Sequence, residues 1–173
     1  MTGPVLVVGG TGMLARVVDE FVGRGRDVVV PSRRRAPAGR WVAADWTDPA
    51  EFVHRVATAL DGAVPELVVL WCHRPHREPV AAGLVQLLDR RTRTVEVVGT
   101  SSWAHDTTWA QRHLAGSTLV ALGQAAEGSG WLTGGEIADG VQTACDSAEA
   151  CRPAVHVVGF LPAEARRALP GGA

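Results

Sequence analysis

The chain contains no tyrosine and no lysine, so all seventeen of its basic residues are arginine. The first absence removes every phenolic proton donor from its chemistry. The second removes every ε-ammonium group that lowers the pKa of a neighbouring acid. Cysteine is scarce: Cys72, Cys145 and Cys151 form an odd set with no metal-ligand spacing and no secretory context, which predicts reduced thiols and no metal site. A Cys145–Cys151 bridge is the alternative for that pair, and Cys72 reads as a small core residue rather than a nucleophile. No stretch approaches the ~20 apolar residues of a membrane span, and the N-terminus lacks a basic region followed by an apolar core and a cleavage site. The expectation is a cytoplasmic protein with no membrane partner. A net charge of −1 gives no global field for nucleic acid, although Arg33, Arg34 and Arg35 form a local basic patch.

What is present is one core's worth of apolar residues, 46% of 173. They recur as short β-branched runs at Pro4–Val8, Asp27–Val30, Trp41–Ala44, Leu67–Trp71, Val95–Val98 and Ala154–Val158, separated by helical patterns. That alternation predicts an α/β fold with a doubly wound parallel sheet, a Rossmann fold of about six strands. With right-handed crossovers the strand order is 3-2-1-4-5-6, and ligands bind beyond the carboxyl ends of the strands, between strands 1 and 4. Residues 1–160 form the nucleotide-binding domain and 161–173 a tail expected to fray. Helices are expected from Met13 to Gly23, from Pro49 to about Leu60 behind Asp48, over Val80–Asp89, over Trp109–Ala126, and from the capping box Thr133-Gly134-Gly135-Glu136 toward Cys145.

The first strand runs into Gly9-Gly10-Thr11-Gly12-Met13-Leu14-Ala15. Glycines there let the backbone turn and approach phosphate oxygens, and the N–H groups of the following helix attract an anion. A purely structural glycine turn is the alternative. After the second strand come Ser32, Arg33 and Arg34, where an NAD-selecting chain places a carboxylate. A guanidinium pairs instead with a 2′-phosphate, which favours NADP(H) over a merely solvated basic loop. Asp45, followed by Trp46, is placed to accept from the adenine amino group, or is a turn residue. The cofactor set is therefore Gly9, Thr11, Gly12, Met13, Leu14, Ser32, Arg33, Arg34, Asp45, Trp46 and His73.

His73 is the first titratable residue beyond the fourth strand. An imidazole, titrating near ~6.5 when unperturbed, donates or accepts a proton at neutral pH, but histidine at a strand end also serves structurally. Ser101 and Ser102, with His105 nearby, follow the fifth strand, where hydroxyls orient a polar substrate group or make ordinary turns. With His73 they form the candidate catalytic set. Trp71, Trp103 and Trp109 fall on elements that converge at this edge, as an aromatic wall or as simple packing.

The glycine turn, Arg33 and Arg34, Asp45, and Ser101-Ser102 after the fifth strand together resemble the short-chain dehydrogenase/reductase superfamily over most of the chain. The resemblance implies a substrate-holding serine at Ser101 or Ser102, a tyrosine about a dozen residues later as proton donor, and a lysine four residues beyond it. Only the serine has a match; near Ala115–Thr118 there are Ser117 and Thr118 and no stronger acid. The resemblance also implies a homodimer paired through the helices after strands four and five; because this sequence lacks the long insertion that usually builds the family's substrate pocket, its site is expected to be shallow unless a second subunit covers it. The expected function is an NADPH-dependent reductase without the usual relay, acting on a small-molecule imine, iminium or conjugated alkene. The alternatives are a non-catalytic NADP(H)-binding sensor or accessory protein and, third, a non-redox cyclase in the same cleft.

Overall fold

The computed structural model describes residues 3–99, 108–125, 130–152 and 154–170. Among the described residues seven strands form one parallel sheet: β1 (Val5–Val8), β2 (Val28–Ser32), β3 (Arg40–Ala43), β4 (Leu67–Leu70), β5 (Arg93–Gly99), β6 (Thr118–Leu122) and β7 (Val155–Val158), in the order 3-2-1-4-5-6-7. The reversal falls between β1 and β4, whose register runs from Val5 opposite Leu67 to Val8 opposite Leu70. Strands β1 and β4 are buried along their whole length, which is why they read as unbroken apolar runs.

Among the described residues five α-helices flank the sheet: α1 (Ala15–Gly23), α2 (Pro49–Leu60), α3 (Arg74–Leu84), α4 (Gly134–Glu149) and α5 (Ala163–Arg167). Val17, Val18 and Phe21 of α1 and Ile137, Ala138 and Val141 of α4 share a core on one face. Phe52, Val53 and Val56 of α2 and Val80, Ala81 and Leu84 of α3 build the core of the other. This distribution fixes the hand of one connection. Helix α1 carries the chain toward the β3 edge and α4 carries it toward the β7 edge, yet both lie on the same face. The β6–α4–β7 crossover therefore has the opposite hand to those through α1, α2 and α3. About 98% of such crossovers are right-handed, so the expectation of uniform handedness fails at this last connection.

The helix expected over Trp109–Ala126 is a second correction. Among the described residues no helix joins β5 to β6; Thr118–Leu122 is a central strand, paired to β5 and β7 and buried at all five positions. A short apolar run buried on both sides carries no periodicity that separates strand from helix. The face over β5 and β6 is covered instead by Trp109 and Ala110 of the connection and by Leu161, Ala165 and Leu169, packed on Val98, Leu119 and Ala121. Thus 161–170 is docked rather than frayed.

A buried carboxylate holds the connection in place. Glu96, in the middle of β5 and fully buried, accepts from the His113 N–H with both oxygens, at 3.0 Å each. Its Oε1 also accepts from the Leu114 N–H at 2.9 Å and the Ser117 hydroxyl at 2.7 Å. The His113 and Leu114 N–H groups and the Ser117 hydroxyl, in a described stretch with no helix, are thereby satisfied.

Elsewhere the expected signals operate. Asp48 caps α2 through the Glu51 N–H at 3.1 Å, with Pro49 in the first turn. The Thr133 hydroxyl accepts from the Glu136 N–H at 3.2 Å while Glu136 accepts from the Thr133 N–H at 2.8 Å, completing the capping box of α4. Thr133→Ala should therefore cost about 1 kcal/mol and lower the thermal midpoint by roughly 2–4 °C, read by circular dichroism. The thiols Cys72, Cys145 and Cys151 are unpaired. Among the described residues no helix is long and apolar enough to cross a membrane.

Candidate functional site

The carboxyl ends of β1, β2, β3 and β4 open into a cavity of about 190 Å3, which adjoins a second of about 310 Å3 over β4 and β5. Met13, Trp71 and His73 line both, so the two are halves of one cleft across the topological reversal.

The first half gathers Gly9, Thr11, Gly12, Met13, Ser32, Arg33, Arg34, Asp45, Trp46 and His73, with Trp71 and Ala44 completing its wall. Leu14 is the exception: its side chain is fully buried in the core beneath α1, so only its backbone is on the side of the turn. The glycines divide their work. Gly9 has φ +87°, and a Cβ there would stand 2.7 Å from the Trp71 carbonyl oxygen. A Cβ on Gly10 would meet Val18 and Val30 at 2.8 Å. Both are demanded by the fold. Gly12 is different, because a Cβ on it would meet nothing within 4 Å. The empty space lies at the turn before α1, whose N-cap residue Leu14 offers no side-chain cap and whose first turn carries no acidic residue. Unsatisfied N–H groups beside an open, glycine-floored space make an anion cradle.

Strand β2 runs two residues beyond the expected Val30. Pro31 is tolerated because it lies past the last register pair with β1, Leu6 opposite Val29, and needs no ladder N–H on that side. The Ser32 hydroxyl donates to the Arg34 carbonyl at 2.5 Å, and the Trp41 indole N–H donates to the Ser32 carbonyl at 3.1 Å. These bonds shape the loop that presents the arginines. Arg33 faces Asp45 across the mouth at 3.9 Å, both side chains well exposed. Such an ion pair is worth about 0–1 kcal/mol, so Arg33 turns to a stronger anion at little cost. Asp45 accepts from the Thr47 N–H at 3.0 Å, and this bond above all holds its carboxyl below the usual carboxylate range. It is an acceptor at neutral pH.

His73 is the N-cap residue of α3, and its imidazole makes no cap bond to the helix. The helix starts at Arg74, six residues before the expected Val80, with Pro75 in its first turn. The His73 ring lies edge-on to Trp71 with centroids 4.8 Å apart and to Trp46 at 5.9 Å, and the two indoles meet at 6.0 Å. This trio sits between the two halves. The second half is walled by Trp71, Trp109, Trp131, Val97 and Val98 and carries Arg74 and Arg77. Of the expected aromatic wall, Trp71 and Trp109 are here; Trp103 lies outside the described residues, as do Ser101, Ser102 and His105. Trp131, Arg77 and Cys72 were missed. Arg77 had a signal, since Arg74 and Arg77 share a helix face at i, i+3; Trp131 had none. The Cys72 thiol is pushed up to about 12 by burial, which leaves it an uncharged wall residue.

No protein-family model matches the sequence, and no curated protein matches it. Solved structures do. A short-chain dehydrogenase from Leptospira borgpetersenii with bound NAD+ aligns over 92% of this chain and 92% of its own at 10% identity, with a TM-score of 0.62. A Burkholderia multivorans short-chain dehydrogenase/reductase with bound NADP aligns over 90% and 94% at 18% identity and TM-score 0.60. A carbonyl reductase from Pseudomonas aeruginosa PAO1 aligns over 92% and 96% at 16% identity and TM-score 0.60. These alignments show that the chain shares the fold of these short-chain dehydrogenase/reductase structures, a doubly wound parallel sheet.

Proposed function

We propose that this protein is an NADP(H)-dependent reductase of the short-chain type that works without a tyrosine–lysine relay. The observation that carries the reading is the open space at Gly12, beside the uncapped start of α1 and within the same cavity as Arg33. A pyrophosphate fits the first and a 2′-phosphate the second, while Asp45 accepts from adenine. Bound there, a reduced nicotinamide supplies a hydride. What remains for the chain's own residues is to orient the substrate, exclude water and manage any proton.

The absence of tyrosine and lysine directs the choice of substrate. A ketone needs a proton on oxygen as hydride arrives, whereas a protonated imine needs none: the π electrons move to nitrogen and neutralise it. We therefore assign an imine or iminium as the reducible group. His73, at the junction of the two halves, hydrogen-bonds a ribose hydroxyl or the reacting nitrogen. Ser101, Ser102 and His105 are proposed as orienting groups after β5. A protein that holds NADP(H) without turnover is the second reading, favoured by the lack of a helix between β5 and β6 among the described residues, since tyrosine and lysine at i, i+4 require one helix face.

Titration with NADPH and NADH, followed by thermal shift and nucleotide fluorescence, tests the cofactor assignment. Arg33→Ala should weaken NADPH binding by roughly 10- to 100-fold, the loss of a charge-assisted pair, and leave NADH unchanged. Undiminished preference for NADPH in that variant refutes the 2′-phosphate assignment. Stopped-flow oxidation of NADPH by cyclic imines, set against ketones, separates reductase from passive holder.

A further inference from the structure

We infer that Cys151 is a site of thiol–disulfide exchange with small carboxylate-bearing disulfides, seated against it by a pocket at the amino ends of β5 and β6. This goes beyond the reductase reading and does not depend on it.

A cavity of about 270 Å3 opens at the end of the sheet opposite the cofactor cleft, lined by Asp89, Arg90, Arg93, Thr118 and Cys151 among others. Of the three thiols only Cys151 is exposed; Cys72 and Cys145 are buried. Cys151 occupies the left-handed position that ends α4, at φ 55°, where glycine is the usual residue. Its N–H donates to the Ala148 carbonyl and the Arg152 N–H to the Ser147 carbonyl, at 3.0 Å each. These bonds engage carbonyls of the last turn that would oppose an anion, and they fix the sulfur at the pocket's edge. Arg93 Nη2 donates to that sulfur at 2.8 Å, and the Glu149 carbonyl lies 3.9 Å from it on another side.

The second observation lies deeper. Thr118 is 1% exposed, and its hydroxyl is buried with no hydrogen-bond partner. Its side chain is on the same side of β6 as Val120 and Leu122, which pack in the core beneath α4, so it faces the end of α4 that carries Cys151. A buried hydroxyl left unbonded is costly, and an acceptor on a ligand relieves that cost. Arg93 is half-buried and spends one of five N–H donors on the sulfur, while Arg90 is exposed at the mouth. Asp89 keeps its negative charge, with Oδ1 accepting from the Arg91 N–H at 2.7 Å and the Thr92 N–H at 3.0 Å. The lining therefore holds two guanidiniums against one carboxylate. A carboxylate a few bonds from a disulfide meets Thr118 and Arg93 with its oxygens and Cys151 with its sulfur. In the exchange, Cys151 gives up its proton and its sulfur attacks the nearer ligand sulfur. The ligand S–S bond breaks as a new one forms to Cys151, and the departing half takes the electron pair and a proton to leave as a thiol. The ligand disulfide is the oxidant, and a free thiol reverses the step.

Dithiodipropionate and the neutral hydroxyethyl disulfide are the probes. Adduct formation is followed by mass spectrometry, without NADPH, and each rate is divided by that of the same probe with free N-acetylcysteine. On this scale the dianion should modify Cys151 about tenfold faster than the neutral probe, even though the chain's net charge of −1 disfavours it. Equal normalised rates overturn the inference, as does modification of Cys72 or Cys145 ahead of Cys151. Arg93→Gln should bring the preference close to unity. Thr118→Val should cut it about threefold without lowering the thermal midpoint, because the hydroxyl it removes bonds nothing. An unchanged preference in either folded variant overturns the inference. The comparison of the two probes on the native protein stands whether or not a variant folds.

Discussion

Glu96→Ala should lower the thermal midpoint by on the order of 10 °C. The carboxylate lies at the centre of β5, wholly buried, and its oxygens accept from two backbone N–H groups and one hydroxyl. Truncation strands all three donors in the interior, at about 1–3 kcal/mol for each unsatisfied group, and leaves a cavity besides. Glu96→Gln keeps the volume and one acceptor but turns an NH2 toward donors, so its loss should be roughly half as large. Denaturant unfolding of the three proteins measures the series. A fall of less than ~1 kcal/mol in the alanine variant means that the connection is held by something other than this carboxylate.

Gly12→Leu should reduce NADPH affinity by on the order of a hundredfold while moving the thermal midpoint by no more than about 2 °C. Gly9→Ala should do the reverse, destabilising the fold before any ligand is added. The contrast follows from the different surroundings of the two glycines. A Cβ at Gly12 meets no atom within 4 Å, so the longer leucine side chain built on it should occupy the cradle and hold the pyrophosphate away from the α1 N–H groups. At Gly9 the backbone is left-handed at φ +87°, and even a methyl group presses on a carbonyl oxygen that cannot yield. Isothermal calorimetry with NADPH and thermal unfolding read the two effects independently. Normal affinity in Gly12→Leu means that the phosphates lie elsewhere.

The first half of the cleft was legible in the sequence because its residues come directly after strands whose apolar runs are unmistakable. Gly9, Gly12, Arg33, Asp45 and His73 are each within a few residues of a carboxyl end, so parallel topology alone brings them together. The second half was not, because it depends on the β5–β6 connection. Thr118–Leu122 is apolar at four of its five positions and fits a buried helix as well as a buried strand. Misassigning it hid the turn that delivers Trp109, and with it the reason that Arg77 is buried. Helix α3 was placed late because Arg74-Pro75-His76-Arg77-Glu78-Pro79 is polar and proline-rich, although proline in a first turn is favourable. The hand of β6–α4–β7 had no local signal, since it depends on which face was left open by the other helices.

The described part of this connection, residues 108–117, also bears on the order of folding. Its local backbone bonds are single turns, Gln111 to Thr108 and Ser117 to Leu114, whereas its other anchors reach back to Glu96 and Arg77 and forward to β6. Residues 108–117 are therefore expected to order only once their neighbours are paired, because single turns do not outweigh the entropy of ordering the chain. The Trp109 side of the second half of the cleft is therefore expected to be completed late in folding, once the sheet beneath it exists.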